Sequence, residues 1–224
     1  MTSYKEMAQE FAGTLALESS LVAVRYQDKP HPAGDSERKL APCEAIDVAR
    51  REDVILNLST ANCSCPGGKH YLGLEPMPEQ MLLKVLVEVH KLFASEDLAK
   101  DFMQEAPNPP PSQGKYVVIA PLSKMESDPD LVLALCNPEQ AGRIVSLAMY
   151  SGLRPFRYHL VGAGCISLSN ALVTDEIDIN FITDHARRRV RNFGSNELII
   201  SLPYRRFTSA LANIPSSGSG KGKS

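Results

Sequence analysis

Apolar residues recur at helical spacing from Tyr4 to Leu17, with charged residues between them, and this predicts an amphipathic helix. The run "SLVAVRY", Ser20 to Tyr26, is short, apolar and rich in β-branched residues, as a buried strand requires. A polar, Pro-containing stretch, "QDKPHPAGDSERKLAP", reads as a surface loop. It ends at "CEAIDVARRED", where Pro42 just ahead and Glu44 in the first turn open a helix. "EDVILNL" predicts the next strand and runs into "NCSCPGGKHYLGL", Asn62 to Leu74, a tight turn that opens a second helix.

A strand-helix-strand pattern then occurs twice. Leu82 to Phe93 reads as strand, "SEDLAKDFMQEA" as a helix opened by Ser95, Glu96 and Asp97, and "KYVVIAPL" as strand. "DLVLALC" begins the second unit; Asn137 caps a helix with Pro138 at its first position and Gln140 three residues after the cap, and "FRYHLVGAGC" closes it. These βαβ-like units predict an α+β fold, a mixed sheet with split βαβ, ferredoxin-like halves flanked by helices. "ELIISLP" supplies one more strand. "EAPNPPPSQGK", Glu105 to Lys115, reads as an exposed linker or a Pro-rich docking peptide. The Gly/Ser/Lys composition of 216–224 suggests a disordered tail or an engineered scar, leaving 1–215 as one α+β domain or two closely packed lobes.

Composition narrows the function classes. The 224-residue chain is 43% hydrophobic and 22% charged, with a net charge of -2. Phosphate-backbone binding relies on clustered basic excess, so nucleic acid is excluded as the expected partner in favour of a small molecule or a redox partner protein. No apolar run approaches the roughly 20 residues of a membrane span, and the N-terminus lacks a secretory pattern, which predicts a cytoplasmic protein with no membrane association. Five cysteines, an odd number, do not suit a secreted disulfide framework. In a reducing compartment they are metal ligands, reactive thiols or inert core residues.

Cys43 and Cys65 stand at predicted helix starts, where unpaired N–H groups and the positive end of the dipole favour thiolate over thiol. Gly67 and Gly68 free the backbone after Cys65 to approach an anion or a sulfur, and Lys69 and His70 add positive charge. Cys165 lies in "GAGCIS", where Gly162 and Gly164 suggest a bulge at a strand end. Cys43, Cys65 and Cys165, with Cys63 as a fourth, could hold an iron–sulfur cluster or zinc. No CxxC pair occurs, so this needs convergence in the folded chain. Cys136, ending an apolar strand, reads as a core cysteine. "HARRRVR" places four arginines in seven residues, a solvated helix face or an anion site around Arg188 and Arg189.

The order of "VAVRY", "CEAIDVARR", "CSCPGGKHYLGL", "YVVIAPL", "DLVLALCNPEQAGRIVSLAMYSG", a Cys after a strand and a final "ELIISLP" resembles the uncharacterised ArCR-type family, domain of unknown function 169, from about Leu17 to Pro203. The resemblance implies a cytoplasmic archaeal or bacterial protein whose family-like cysteines are Cys43, Cys65 and Cys165. It carries no settled activity. Many relatives have a late Gly-Cys-x-Gly-type segment where this chain reads "TDHARRRV", so a fourth thiol from there is missing and Cys63 would have to replace it. Three readings follow: a cysteine site for an iron–sulfur cluster or thiophilic metal in redox or metal handling; a thiol enzyme with Cys65 as nucleophile, His70 as base and Gly67, Gly68, Lys69, Arg188 and Arg189 holding a small anionic substrate; and a non-catalytic module for a small anion or partner protein.

Overall fold

The computed structural model describes residues 2–105, 114–152, 164–181 and 193–221. Six strands form one open sheet in the order β2-β3-β1-β4-β6-β5: β1 (Val22–Gln27), β2 (Leu56–Leu58), β3 (Tyr116–Pro121), β4 (Leu131–Cys136), β5 (Asp178–Asn180) and β6 (Leu198–Pro203). Every neighbouring pair is antiparallel. The described helices are α1 (Tyr4–Leu15), α2 (Pro42–Glu52), α3 (Pro66–Tyr71), α4 (Glu79–Lys84), α5 (Glu96–Glu105), α6 (Pro138–Met149), α7 (Gly164–Thr174) and α8 (Tyr204–Ala212). The fold is α+β.

Strand directions expose two split βαβ units. Because β1 and β2 both run antiparallel to β3, they are parallel to each other with β3 between them, and β4 and β5 flank β6 in the same way. The units meet at the central β1–β4 pair, whose register (Val22 with Leu133, Ala23 with Val132, Val24 with Leu131) is that of a local two-fold axis. The match continues residue by residue. Val22 pairs with Pro121 as Leu131 pairs with Pro203, and Leu56 with Ile119 as Asp178 with Ser201. Helices α2 and α7, 11 residues each, precede β2 and β5 by the same interval. Each is followed by a left-handed aspartate, Asp53 (φ 53°) and Asp175 (φ 54°), a conformation that Asp tolerates better than most residues. Asp53 pairs with Lys124 just after β3, and Asp175 with Arg205 just after β6.

The sheet is buried on both faces. On one, Phe11 and Leu15 of α1, Ile144 and Leu147 of α6 and Phe207 of α8 cover Ala23, Val132 and Ile200. On the other, Ala45, Ile46 and Ala49 of α2 and Leu168 and Ala171 of α7 cover Val22, Leu56, Ile119 and Ile199. Local chemistry fixes the helix ends. Ser3 and Glu6 form a capping box on α1, as do Asn137 and Gln140 on α6, with reciprocal bonds of 2.9 Å in the latter. At α2, Glu44 reaches back to accept the Ala41 N–H at 2.7 Å.

Three expectations are corrected. The sheet is antiparallel and not mixed, because in each unit a third strand is inserted between the two parallel ones. Leu82–Phe93 is not strand: α4 runs on into a π-helical turn at Val85–Val89. The β-branched run imitates a strand locally, but Leu82, Leu83 and Leu86 pack together with Ala99, Tyr71 and Ile166, and this burial outweighs propensity. Likewise Gly164 and Cys165 open helix α7 instead of ending a strand. Residues 156–163, read as strand, lie outside the described residues. Within the segment set aside on composition, Ser217 is buried, and Ser219 accepts from Arg143 through its carbonyl at 2.9 Å and donates to Ser146 Oγ at 2.8 Å.

Candidate thiol site

Three helix starts come together on the α2/α7 side of the sheet. Cys43 is the second residue of α2 and Cys165 the second residue of α7, so they occupy equivalent positions in the two βαβ units. Cys65 is the N-cap of α3, inserted between β2 and β3, and its Sγ accepts the Gly68 N–H at 3.3 Å. Gly68 is there because α3 lies directly on the start of α2: a Cβ at Gly68 would stand 2.6 Å from Cδ of Pro42. Tyr71 at the end of α3 packs in one cluster with Ile166 and Cys165 of α7.

The electrostatics report the same convergence. Burial pushes the Cys165 thiol well up, and the neighbouring Cys65 and Cys43 thiols push it in the same direction. Burial also raises Cys63; Cys65 and Cys43 add to the rise while Lys69 opposes it. Cys63 is buried, and its weak S–H donor points to the Cys65 carbonyl at 3.7 Å. Cys43 and Cys65 thus act on both Cys63 and Cys165, and none of the five cysteines is in a disulfide. Among the described residues, no three side chains of ligating type stand in an arrangement that could hold a metal ion as they are.

The basic residues of the turn are tied down locally. Lys69 Nζ pairs with Glu75 at 2.8 Å. His70 Nδ1 accepts the Met77 N–H at 3.2 Å, burial lowers the imidazole pKa, and no hydrogen bond joins the ring to Cys65. A cleft of about 300 Å³ beside α3 is lined by Pro66, Lys69, Glu75, Met77 and Met81. At Gly67 a Cβ would meet nothing within 4 Å, so packing makes no demand for glycine there. Arg188 and Arg189, with the rest of "HARRRVR", lie outside the described residues.

Cys136 sits apart, buried at the end of β4 with its thiol pushed up to about 12 by burial and then by Glu197, in keeping with a core cysteine. Sequence reading passed over two polar groups. One joins Arg50, buried against Phe193, to Asp47 at 3.1 Å and Glu197 at 2.7 Å. The other joins Ser167, Asn170, Asp178 and Ser201 beneath α7. Their members are scattered over separate elements, and a single polar residue in an apolar strand carries no local signature.

No helix among the described residues is long and apolar enough to cross a membrane. No curated protein and no solved structure matches the chain. The family described as uncharacterised ArCR, domain of unknown function 169, matches residues 10–213. With nearly the whole chain matched, this protein belongs to that family.

Proposed function

We propose that Cys43, Cys65 and Cys165 form a thiolate site for a soft metal centre, an iron–sulfur cluster or zinc, and that the protein serves redox chemistry or metal handling. The observation that supports this reading is the approach of three separate helix starts bearing Cys43, Cys65 and Cys165, with the Cys165 thiol influenced by the other two. The donor set fits such a centre, because soft thiolates select zinc and iron–sulfur clusters. Cys63 is the nearest candidate for a fourth ligand. Burial holds Cys63 and Cys165 in the neutral thiol form, and a cation among them would reverse that preference, so loading releases protons. To hold such a centre the sulfurs of Cys43, Cys65 and Cys165 would have to approach more closely than they stand, and Cys65 would have to give up the Gly68 N–H. Anaerobically purified protein should contain iron with acid-labile sulfide, or zinc, near one site per chain; protein free of all three would sink the reading.

A second reading, a thiol enzyme acting on a small anionic substrate, is favoured by the Gly68 N–H aimed at Cys65 Sγ. In it Cys65 is the nucleophile, Gly67 and Gly68 supply backbone N–H groups to the substrate, and Lys69 or an arginine binds its charge. His70 serves as base only if its ring leaves the Met77 N–H. A single cysteine that alkylates far faster than the others in metal-free protein would favour this reading over the first.

A further inference from the structure

The connection from β2 to β3 is far longer than its equivalent from β5 to β6: it runs over 59–115, against 181–197. Closing the sheet at this point therefore does not require α3 to α5, and the extra length builds the cleft of about 300 Å³ beside α3. Hydrogen bonds fix the wall opposite that helix. Gly73 turns the chain in the left-handed region (φ 67°), after which the N–H groups of Leu74 and Glu75 reach the Lys69 carbonyl at 2.9 and 3.3 Å. The Met77 N–H reaches His70 Nδ1 at 3.2 Å. Segment 73–78 is thus held against α3 before anything enters the cleft, and a preformed site loses less affinity to ordering than one assembled on binding.

The lining combines hydrocarbon with one ion pair. Pro66, Pro76 and Pro78 offer rigid apolar surface and no N–H donor. Met77 and Met81 add flexible, polarizable side chains that adapt to an irregular apolar group, and Met81 is left 53% exposed at the cleft. The charged side chains of the lining are Lys69 and Glu75, joined from Nζ to Oε2 at 2.8 Å. That bond uses one ammonium donor and one carboxylate oxygen, so each group keeps capacity for a second partner.

We infer that this cleft binds a small apolar zwitterion, an α-amino acid with a hydrocarbon or thioether side chain. A simple anion would gain from Lys69 but meet the Glu75 carboxylate, and a simple cation would gain from Glu75 but meet the Lys69 ammonium. A ligand that carries both charges on one carbon sets its carboxylate against Lys69 and its ammonium against Glu75. Four alternating charges then close a ring, and the existing pair need not break. The ligand side chain lies against Met77, Met81 and the prolines. The volume is at the low end of small-molecule sites, roughly 300–1,000 Å³, which suits a ligand of amino-acid size. Pro66 sets the cleft one residue from Cys65, but binding there requires no thiol and stands apart from both readings of the cysteines.

The test is isothermal titration calorimetry of the full chain at neutral pH with L-leucine, L-methionine, glycine and two leucine analogues, isocaproate without the ammonium and isoamylamine without the carboxylate. L-Leucine or L-methionine should bind with a Kd below about 1 mM, and glycine and both analogues about ten-fold more weakly or worse. Lys69→Gln and Glu75→Gln should each weaken the amino acid by about ten-fold or more. Both side chains reach solvent, at 24% and 55% exposure, so either variant keeps the fold and one suffices for the test. Cys65→Ser should bind as the parent does. No binding of either apolar amino acid at about 10 mM, isocaproate or isoamylamine binding as tightly as L-leucine, or undiminished binding in Glu75→Gln would overturn the inference. Loss of binding in Cys65→Ser would overturn it too, by moving the ligand to the thiols.

Discussion

The seating of α3 on the start of α2 makes a sharp prediction about two adjacent glycines. A Cβ added at Gly68 would lie 2.6 Å from Cδ and 2.7 Å from Cγ of Pro42, and 3.3 Å from Cβ of Cys65. The first two contacts are with a ring locked into the first turn of α2, so the neighbour cannot swing aside and α3 must shift. Forcing a methyl group into a packed contact of this kind typically costs about 1–3 kcal/mol. For a chain of this size that lowers the unfolding midpoint by roughly 2–12 °C. The adjacent position is the control. Gly67→Ala meets nothing within 4 Å and needs no left-handed backbone, so it should be neutral or stabilising by up to about 1 kcal/mol. Differential scanning calorimetry of the two variants beside the parent separates the cases. Because Cys65 moves with α3, Gly68→Ala should also alter the alkylation rate of Cys65, read by mass spectrometry, whereas Gly67→Ala should not. A Gly68→Ala protein that melts with or above Gly67→Ala would refute the stated packing of the two helix starts.

Other consequences are equally accessible. Arg50→Ala removes the buried guanidinium that joins Asp47 to Glu197 while Arg51 still pairs with Asp47 at 2.7 Å, and chemical denaturation should show a loss of about 1.5–3 kcal/mol; a loss under about 0.5 kcal/mol would contradict the buried pairing. Asn137→Ala removes the α6 cap and should cost about 1 kcal/mol by the same assay. Buried Asp178 makes stability depend on pH. Its pKa is raised on folding from 3.8 to about 6, so its favourable contribution is complete below about 4 and disappears as pH rises through about 6. Relative to Asp178→Asn, the parent should therefore lose about 3 kcal/mol between pH 4 and pH 7, and a pH-independent difference would contradict the burial assigned to the carboxyl. In metal-free protein at pH 8, iodoacetamide should modify half-buried Cys65 before Cys63, Cys136 and Cys165, whose thiols are all held up by burial; uniform labelling of the five would count against that ranking.

Much of the helical framework was legible because its signals are local. Ser3 with Glu6, Pro42 with Glu44 and Asn137 with Gln140 each satisfy a helix end within one turn, and β1, β3, β4 and β6 stand out as short apolar runs bounded by polar residues. Cys65 was recognisable as a helix start from the Pro-Gly-Gly that follows it. The strand-like reading of Leu82–Phe93 failed because the burial of Leu82, Leu83 and Leu86 against α3, α5 and α7 is a tertiary fact. The meeting of Cys43, Cys65 and Cys165 follows from sheet order, which sets two units around a local two-fold axis and so pairs helices far apart in the chain. That repeat was hidden by unequal insertions: α6 lies between β4 and α7, and α3 to α5 lie between β2 and β3. The polar group of Ser167, Asn170, Asp178 and Ser201 stands where the first unit has Ala45, Val48, Leu56 and Ile119, a match that appears only once the two units are aligned.

The most direct test of the thiol site is the iron, acid-labile sulfide and zinc content of Cys43→Ser, Cys65→Ser and Cys165→Ser, each purified anaerobically beside Cys136→Ser. Loss of metal in the first three with full retention in Cys136→Ser is the predicted result. Metal retained after all three substitutions are combined, or a parent protein that carries none, would contradict the account.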